Sequence, residues 1–151
     1  EHYGQLDGRI NLVPKPAGAR LPIIAIGRAG QELDWLAANT DGWIWHLSDF
    51  ARLPAVIAKW RAACSEHGFK PYGYGTFFDL DAEPDAPLQV PAGKGIRTGR
   101  KALIELWKRQ QDEGVSHVAL NLKLLRRPAA DVLTELAEHV LPYFPPAPIE
   151  A

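Results

Sequence analysis

The sequence predicts an α/β protein with four consecutive β/α units arranged around a parallel sheet. Short apolar runs alternate with longer stretches of helical spacing, and Gly, Pro or Asp-Gly marks most of the boundaries. Alternating units of this kind imply parallel strands joined by right-handed crossovers. Two architectures fit the pattern: a small open doubly wound sheet, and four consecutive units of a (β/α)8 barrel.

The first unit combines a strand and a helix separated by a glycine-containing turn. Residues 21–26 form a continuous apolar run that ends at Gly27, which is typical of a strand buried on both faces. Residues 30–39 follow with apolar side chains at helical spacing, so a helix is expected directly after the turn. After Asp41-Gly42, a second strand is predicted over 43–47.

The third unit contains a long segment rich in turn residues between its strand and its helix. A helix is predicted over 51–67 and a third strand over 72–80. Residues 81–98 contain three Pro and two Gly, so we expect a loop, and loops of this length usually have a function or lack order. A helix over 99–113 then ends at a glycine.

The fourth unit is a strand over 116–122 followed by a helix that Pro128 opens. The domain is therefore predicted over 21–144, between a lead-in over 1–20 and an irregular tail over 145–151. The last helix has one apolar stripe that is expected to face the core, namely Val132, Leu136 and Val140 together with Leu133 and Leu141.

Composition narrows the class of protein. The 151 residues are 46% hydrophobic, with 17 Lys and Arg against 18 Asp and Glu. This balance argues against a nucleic-acid or anionic-membrane partner, which needs a basic surplus. No apolar run approaches the roughly 18 residues of a spanning helix, and no signal peptide is recognisable.

The cysteine and histidine content argues against disulfides and metal sites. Cys64 is the only cysteine, so we expect no disulfide framework and a cytoplasmic location. His2, His67 and His139 lack partners at metal-ligand spacing, so no metal site is predicted. The chain begins at Glu1 and contains no Met, which suggests a piece of a longer protein.

The turn between the first strand and its helix is the most informative segment. It reads Gly27-Arg28-Ala29-Gly30-Gln31. Glycines allow close backbone approach, a helix start offers unpaired N–H groups, and an arginine can bind a phosphate with two hydrogen bonds. These features fit an anion site for a nucleotide or flavin phosphate. From the residues alone, the preferred interpretation is a tight βα turn in which glycine is needed only for geometry.

The second strand carries a candidate ligand contact and a candidate catalytic group. Alternation sends Trp43 and Trp45 to one face and Ile44 and His46 to the other. Ligands bind at the carboxyl ends of parallel strands, so Trp45 or His46 is placed to contact an aromatic ring. Core packing of the tryptophans with a hydrogen-bonded histidine is the preferred interpretation of this strand taken alone.

Charged residues near two later strand ends are weaker candidates. Asp79 and Asp81 lie at the end of the third strand, where a catalytic acid can sit, but solvation of an acidic loop is the preferred interpretation. The basic segment 93–100 fits a phosphate environment or a solvated turn equally well. Arg126-Arg127 is interpreted as a solvated turn.

Several motifs taken together resemble the bacterial luciferase-like flavin-dependent oxidoreductases, and within them a subgroup of luciferase-type oxidoreductases. The resemblance extends over roughly residues 3–144, and it rests on the order and spacing of six segments. These are Val13-Pro14-Lys15-Pro16, residues 22–27, residues 34–38, Asp41-Gly42-Trp43-Ile44, residues 114–122, and Arg126-Arg127-Pro128 leading to Val140-Leu141-Pro142.

The resemblance implies a (β/α)8 barrel that binds FMN, or in some branches the deazaflavin F420, at the carboxyl ends of its strands. It places the flavin phosphate at residues 27–31, where the family often has Ser at the position of Arg28. The sixth strand, over Ile44, Trp45 and His46, and the seventh, over 76–79, are implied to line the flavin pocket. His46 is the preferred general base, because imidazole exchanges protons near neutral pH.

The chain matches only the second half of such a barrel, strands five to eight. The implied parent enzyme is a monooxygenase that uses O2 and reduced flavin to oxidise a small organic substrate, with a flavin reductase as a partner. This half alone is expected to be inactive, and it needs the missing N-terminal half or a second copy to cover its open edges. The alternative function is a non-catalytic flavin-binding or half-barrel assembly module.

Overall fold

A computed structural model describes residues 17–18, 20–47, 49–91 and 95–146. The strands in this part of the chain are β1 (Ile24–Ile26), β2 (Gly42–His46), β3 (Tyr72–Leu80), β4 (Ile96–Thr98) and β5 (Val115–Asn121). The helices are α1 (Leu33–Asn39), α2 (Leu53–Ala63), α3 (Arg100–Glu113) and α4 (Ala129–His139), with short 3-10 turns at Phe50–Arg52, Leu122–Leu124 and Leu141–Tyr143. None of these helices has the length and apolarity to cross a bilayer.

The strands form one parallel sheet, which confirms the predicted α/β class. Its order follows the chain, with β1 beside β2, β2 beside β3, and β3 beside β5. The short β4 pairs in parallel with the carboxyl end of β3, from Phe78 to Leu80. Among β1, β2, β3 and β5 the strand order does not reverse, whereas β4 pairs on the same side of β3 as β2.

All four helices pack on one face of this sheet. The even-numbered residues of β3 point to that side, and all of them are buried. Tyr72 and Tyr74 pack in a core with Leu36 of α1 and Trp60 of α2. Further along the strand, Phe78 and Leu80 pack in a second core with Leu103 and Leu106 of α3 and Val132 and Leu136 of α4.

The opposite side of the sheet carries no described helix, and we call it the open face. Between Ile24 and Gly42 at one end and Asp79 at the other, the strand register places its residues in three rows across the sheet. From the amino to the carboxyl ends of the strands, the rows are Ile26, Ile44, Gly73 and His117, then His46, Gly75 and Ala119, then Phe77 and Asn121.

The structure corrects the prediction that the first strand is buried on both faces. Ile24 and Ile26 are 52% and 73% exposed. Among the described strands, β1 lies at an edge with a neighbour on one side only, and both isoleucines lie on the open face. Its regular pairing is also shorter than predicted, because the Asp41 carboxylate accepts the backbone N–H of Ile23 at 2.7 Å.

Two later expectations are also corrected. The predicted loop over 81–98 contains β4, and an antiparallel bridge joins Gln89 to Arg97 within it. Along α4 and the residues directly after it, Val132, Leu136 and Val140 are buried as predicted, whereas Leu133 and Leu141 are more than half exposed.

Helix boundaries mostly agree with the predicted signals. Gly114 ends α3 with a φ of 108°, and Pro128 precedes the first residue of α4. Asp49 caps the 3-10 turn before α2 by accepting the Ala51 N–H at 3.1 Å. The predicted lead-in and tail lie largely outside the described residues, so 1–16 and 147–151 have no structural account here.

Candidate functional site

A groove of about 510 Å³ lies on the open face at the carboxyl ends of three strands. This is the end of a parallel sheet at which ligands usually bind. Residues from the ends of β2, β3 and β5 surround it, namely His46, Gly75, Thr76, Phe77, Ala119, Leu120, Asn121 and Leu122.

The floor of the groove is formed by small residues. A Cβ built at Gly75 would meet Ala119 O at 3.9 Å as its nearest described neighbour, so packing does not require glycine there. At Gly73, by contrast, a Cβ would lie 2.7 Å from His117 O. Gly73 is explained by the close approach of β5, whereas Gly75 leaves free space above the central strand.

His46 lies beside this space, as alternation predicts. Its exposed ring meets the Phe77 ring edge-on, with 6.1 Å between centroids and 77° between planes. Asn121 lies on the same face but uses its side-chain oxygen to accept the Lys123 N–H at 3.0 Å. Among the described groups at this groove, the His46 imidazole is therefore the accessible proton-transfer group.

Trp45 lies on the other side of the sheet. Its ring centroid is 5.6 Å from that of Trp43, and it packs against the core covered by α1 and α2. The structure therefore brings His46 to the groove and separates Trp45 from it by the thickness of the sheet.

The turn over 27–31 has an unusual backbone conformation. Gly27, Ala29 and Gly30 have φ values of 75°, 48° and 78°, in the left-handed region that favours glycine. Gly27 is held in place because its N–H donates to Ile44 O at 2.8 Å and its carbonyl accepts the Trp43 indole N–H at 2.9 Å. The N–H groups of Arg28, Ala29 and Gly30 have no acceptor among the described residues.

Arg28 folds back onto its own turn. Its Nε donates to Gln31 O at 2.9 Å, and its guanidinium pairs with Glu32 at 2.8 Å. The predicted helix start is also displaced, because α1 begins at Leu33 and is only seven residues long. The anion-site prediction therefore depends on the backbone N–H groups of the turn and on a guanidinium that already has a partner.

The interpretation of Asp79 and Asp81 as loop acids held by solvent is wrong. Asp79 is 7% exposed and accepts hydrogen bonds from Arg126, from Nε at 2.7 Å and from the backbone N–H at 3.2 Å. Asp81 pairs with Arg97 at 3.0 Å and with Arg126 at 3.3 Å. Arg126 is thus bound to both acids, although its side chain remains 53% exposed.

This acid–arginine cluster closes the carboxyl end of the open face. Asp79 follows Phe77 by two residues on β3, so both lie on that face. The Glu83 backbone N–H, and then Arg97, hold the pKa of Asp81 below its ordinary value. Two features of the sequence could have indicated this cluster. The alternation of side chains along β3 places Asp79 on the same face as the groove, and the acids after β3 are opposite in charge to the arginines after β5.

Comparison with known proteins adds no family to this geometry. Within the described residues there is no group of three or more His, Cys, Asp or Glu side chains able to hold a metal ion. No family model matches the chain, and no curated protein matches its sequence.

Proposed function

We propose that this chain forms strands five to eight of a (β/α)8 barrel and is the C-terminal part of a luciferase-like flavin-dependent oxidoreductase. Two observations favour a barrel segment over a doubly wound sheet. The order of β1, β2, β3 and β5 follows the chain without reversal, and the four described helices pack on one face. A doubly wound sheet reverses its order and carries helices on both faces.

The groove at Gly75 is the observation that carries the cofactor proposal. A planar ring can lie against the β3 backbone there, because neither Gly75 nor Ala119 projects a large side chain. The rings of His46 and Phe77 flank the space. These features fit the isoalloxazine of FMN, and the deazaflavin ring of F420 is the alternative.

The turn over 27–31 is the proposed phosphate contact. The turn follows β1 directly, and β1 lies beside β2, the strand that ends at His46. Three of its N–H groups have no acceptor among the described residues, and such groups bind phosphate oxygens readily. The Arg28–Glu32 pair is exposed and therefore contributes little, so a phosphate can replace Glu32 at low cost.

Bound reduced flavin supplies the electrons for the oxidation of a small organic substrate by O2, as the resemblance implies. The chain itself would orient the ring, cover one side of it with Phe77 and hold a proton on the His46 imidazole. The acid–arginine cluster of Asp79, Asp81, Arg97 and Arg126 limits the groove at its outer end. A flavin reductase is the expected source of reduced cofactor.

A non-catalytic flavin-binding or assembly module is the second candidate. It is favoured by the open face itself, because the described residues form only one wall around the groove. Flavin retention without substrate oxidation, in the presence of a reductase and O2, would support the module over the enzyme.

The test is a titration of the 151-residue chain with FMN, in which binding is measured by the quenching of flavin fluorescence. Gly75→Leu fills the groove and should weaken binding by about tenfold or more, which corresponds to about 1.4 kcal/mol. Ala58→Leu on the exposed side of α2 introduces the same side chain elsewhere and should leave binding unchanged. F420 is titrated in parallel.

A second comparison tests the phosphate contact. FMN should bind more tightly than riboflavin, and Arg28→Ala should reduce that difference. Equal effects of Gly75→Leu and Ala58→Leu, or the absence of saturable binding by either flavin, would argue against the proposed site.

A further inference from the structure

We infer that a second copy of this chain completes the barrel, with the β5 and α4 side of each copy packed against the β1 side of the other. The inference rests on the half-barrel architecture proposed above. It takes the 151-residue chain by itself and places a second copy where the N-terminal half lies in a full-length barrel. It is carried by unpaired apolar surfaces at both edges of the sheet, in the inner layer and in the outer layer.

The inner layer is uncovered along β1. Ile24 and Ile26 lie on the open face and are more than half exposed. β1 has no strand on its outer side among the described residues, and β5 ends the sheet on the opposite side. An edge strand with exposed apolar side chains is a ready template for pairing with another strand.

The outer layer is uncovered on one flank of α4. Glu135 pairs with Arg100 at 2.9 Å, so α3 lies on the Glu135 flank. At about 100° per residue, Ala130, Leu133 and Ala137 project from the opposite flank, with the buried row of Val132 and Leu136 between the two. These three residues are exposed, Leu133 by 52%, and they form the α4 stripe.

The outer side of β1 presents a matching apolar surface. Ala25 packs on the helix-covered side of the sheet, so alternation places Ile23 on that side as well. Ile23 is 53% exposed. In a closed barrel the helix that follows one strand packs over the groove beside the next strand, so the α4 stripe of one copy would cover Ile23 of the other.

Two copies suffice to close this arrangement. A rotation of 180° about the barrel axis keeps all strands parallel and joins β5 to β1 twice, so no edge remains free. Four strands about 4.8 Å apart and about six residues long give an inner face of about 400 Å². With both edges and the α4 stripe added, each copy buries on the order of the 800 Å² per partner of a stable complex.

The test measures the mass of the full chain in solution by light scattering after gel filtration, without flavin. We expect twice the chain mass of 16.7 kDa. Ile23→Lys and Leu133→Asp each place a charge in both copies of the interface and should each yield monomers. Both residues are exposed, so the circular dichroism spectrum should remain that of the parent chain.

Mixing the two variants provides the decisive comparison. In a mixed dimer one interface is unaltered and the other pairs the introduced lysine with the introduced aspartate, so the dimer mass should return. A parent chain of 16.7 kDa, open-ended assemblies, dimers that neither substitution weakens, or a mixture that stays monomeric would each overturn the inference. Because mass is measured without flavin, a failure of flavin binding leaves this result unaffected, and a flavin-binding monomer refutes the dimer alone.

Discussion

At the residue scale, two tyrosines on the same face of β3 have opposite hydrogen-bonding situations. The Tyr74 hydroxyl donates to Gln110 Oε1 at 2.7 Å, whereas the Tyr72 hydroxyl is buried without a partner among the described residues. Burial raises the pKa of Tyr72 to about 12 and raises the pKa of Tyr74 as well. The two tyrosines have similar neighbours in the sequence. The difference in hydrogen bonding arises because α3 places the Gln110 side chain beside Tyr74.

This pair gives a matched test of buried hydroxyl groups. Tyr72→Phe removes an unpartnered hydroxyl and should leave the free energy of unfolding unchanged or raise it by about 1 kcal/mol. Tyr74→Phe removes a partner from buried Gln110 and should lower it by about 1 to 2 kcal/mol. Chemical denaturation of both variants measures the difference, and equal destabilisation would contradict the assigned hydrogen bonds.

Alternation predicted part of the candidate site, because the face to which a strand residue points is a local property. It placed His46 and Trp45 on opposite faces, and the structure agrees. The partner of Asp79 could not be predicted in this way. Arg126 is 47 residues away, and its approach depends on how β3 and β5 pair, which the periodicity of neither strand specifies.

At the element scale, two glycines with similar backbone angles have different surroundings. Gly30 in the turn after β1 has a φ of 78° and no atom within 4 Å of a built Cβ. Gly95 before β4 has a φ of 86°, and a Cβ there would overlap the carbonyl of Phe77 on β3. The second glycine therefore permits both a left-handed conformation and the approach of β4.

Alanine substitution should separate these two contributions. Gly30→Ala introduces only the cost of a left-handed alanine, about 1 kcal/mol of unfolding free energy. Gly95→Ala adds a clash with the central strand and should cost roughly 3 kcal/mol or more. Thermal or denaturant unfolding of both variants makes the comparison. Similar losses in the two variants would show that β4 is not held closely against β3.

The number and order of the main elements were predictable, because each follows from apolar spacing within its own segment. β4 was not, since its three residues become a strand only through pairing with Phe78–Leu80, at the end of the strand that precedes the loop. The exposure of β1 does not follow from its apolar run, although the resemblance to half a barrel implied open edges. Its apolar run indicates a strand suited to burial, but a pattern does not say what covers it.

At the scale of the whole molecule, β3 connects two apolar cores on the helix-covered face, and ion pairs connect the elements around the second core. Glu135 of α4 binds Arg100 of α3 at 2.9 Å and Arg127 of the loop after β5 at 2.8 Å. Burial acts to raise the pKa of Glu135, but hydrogen bonds from the two arginines outweigh it and hold the pKa below its ordinary value.

This depressed pKa makes global stability depend on pH in a defined direction. A carboxyl whose pKa is lower in the folded state stabilises the fold above its unfolded value of about 4.5, and that contribution disappears as the pH falls through the folded pKa. Glu135→Gln should therefore lower the unfolding free energy by about 1 kcal/mol at about pH 7 and by progressively less below about pH 4.5. Glu138→Gln, on the exposed side of the same helix, should change it by less than about 0.5 kcal/mol throughout. Urea unfolding of the three proteins between about pH 3 and pH 7 measures these differences. Parallel curves for the parent chain and Glu135→Gln would mean that this ion-pair network does not hold α3 and α4 together.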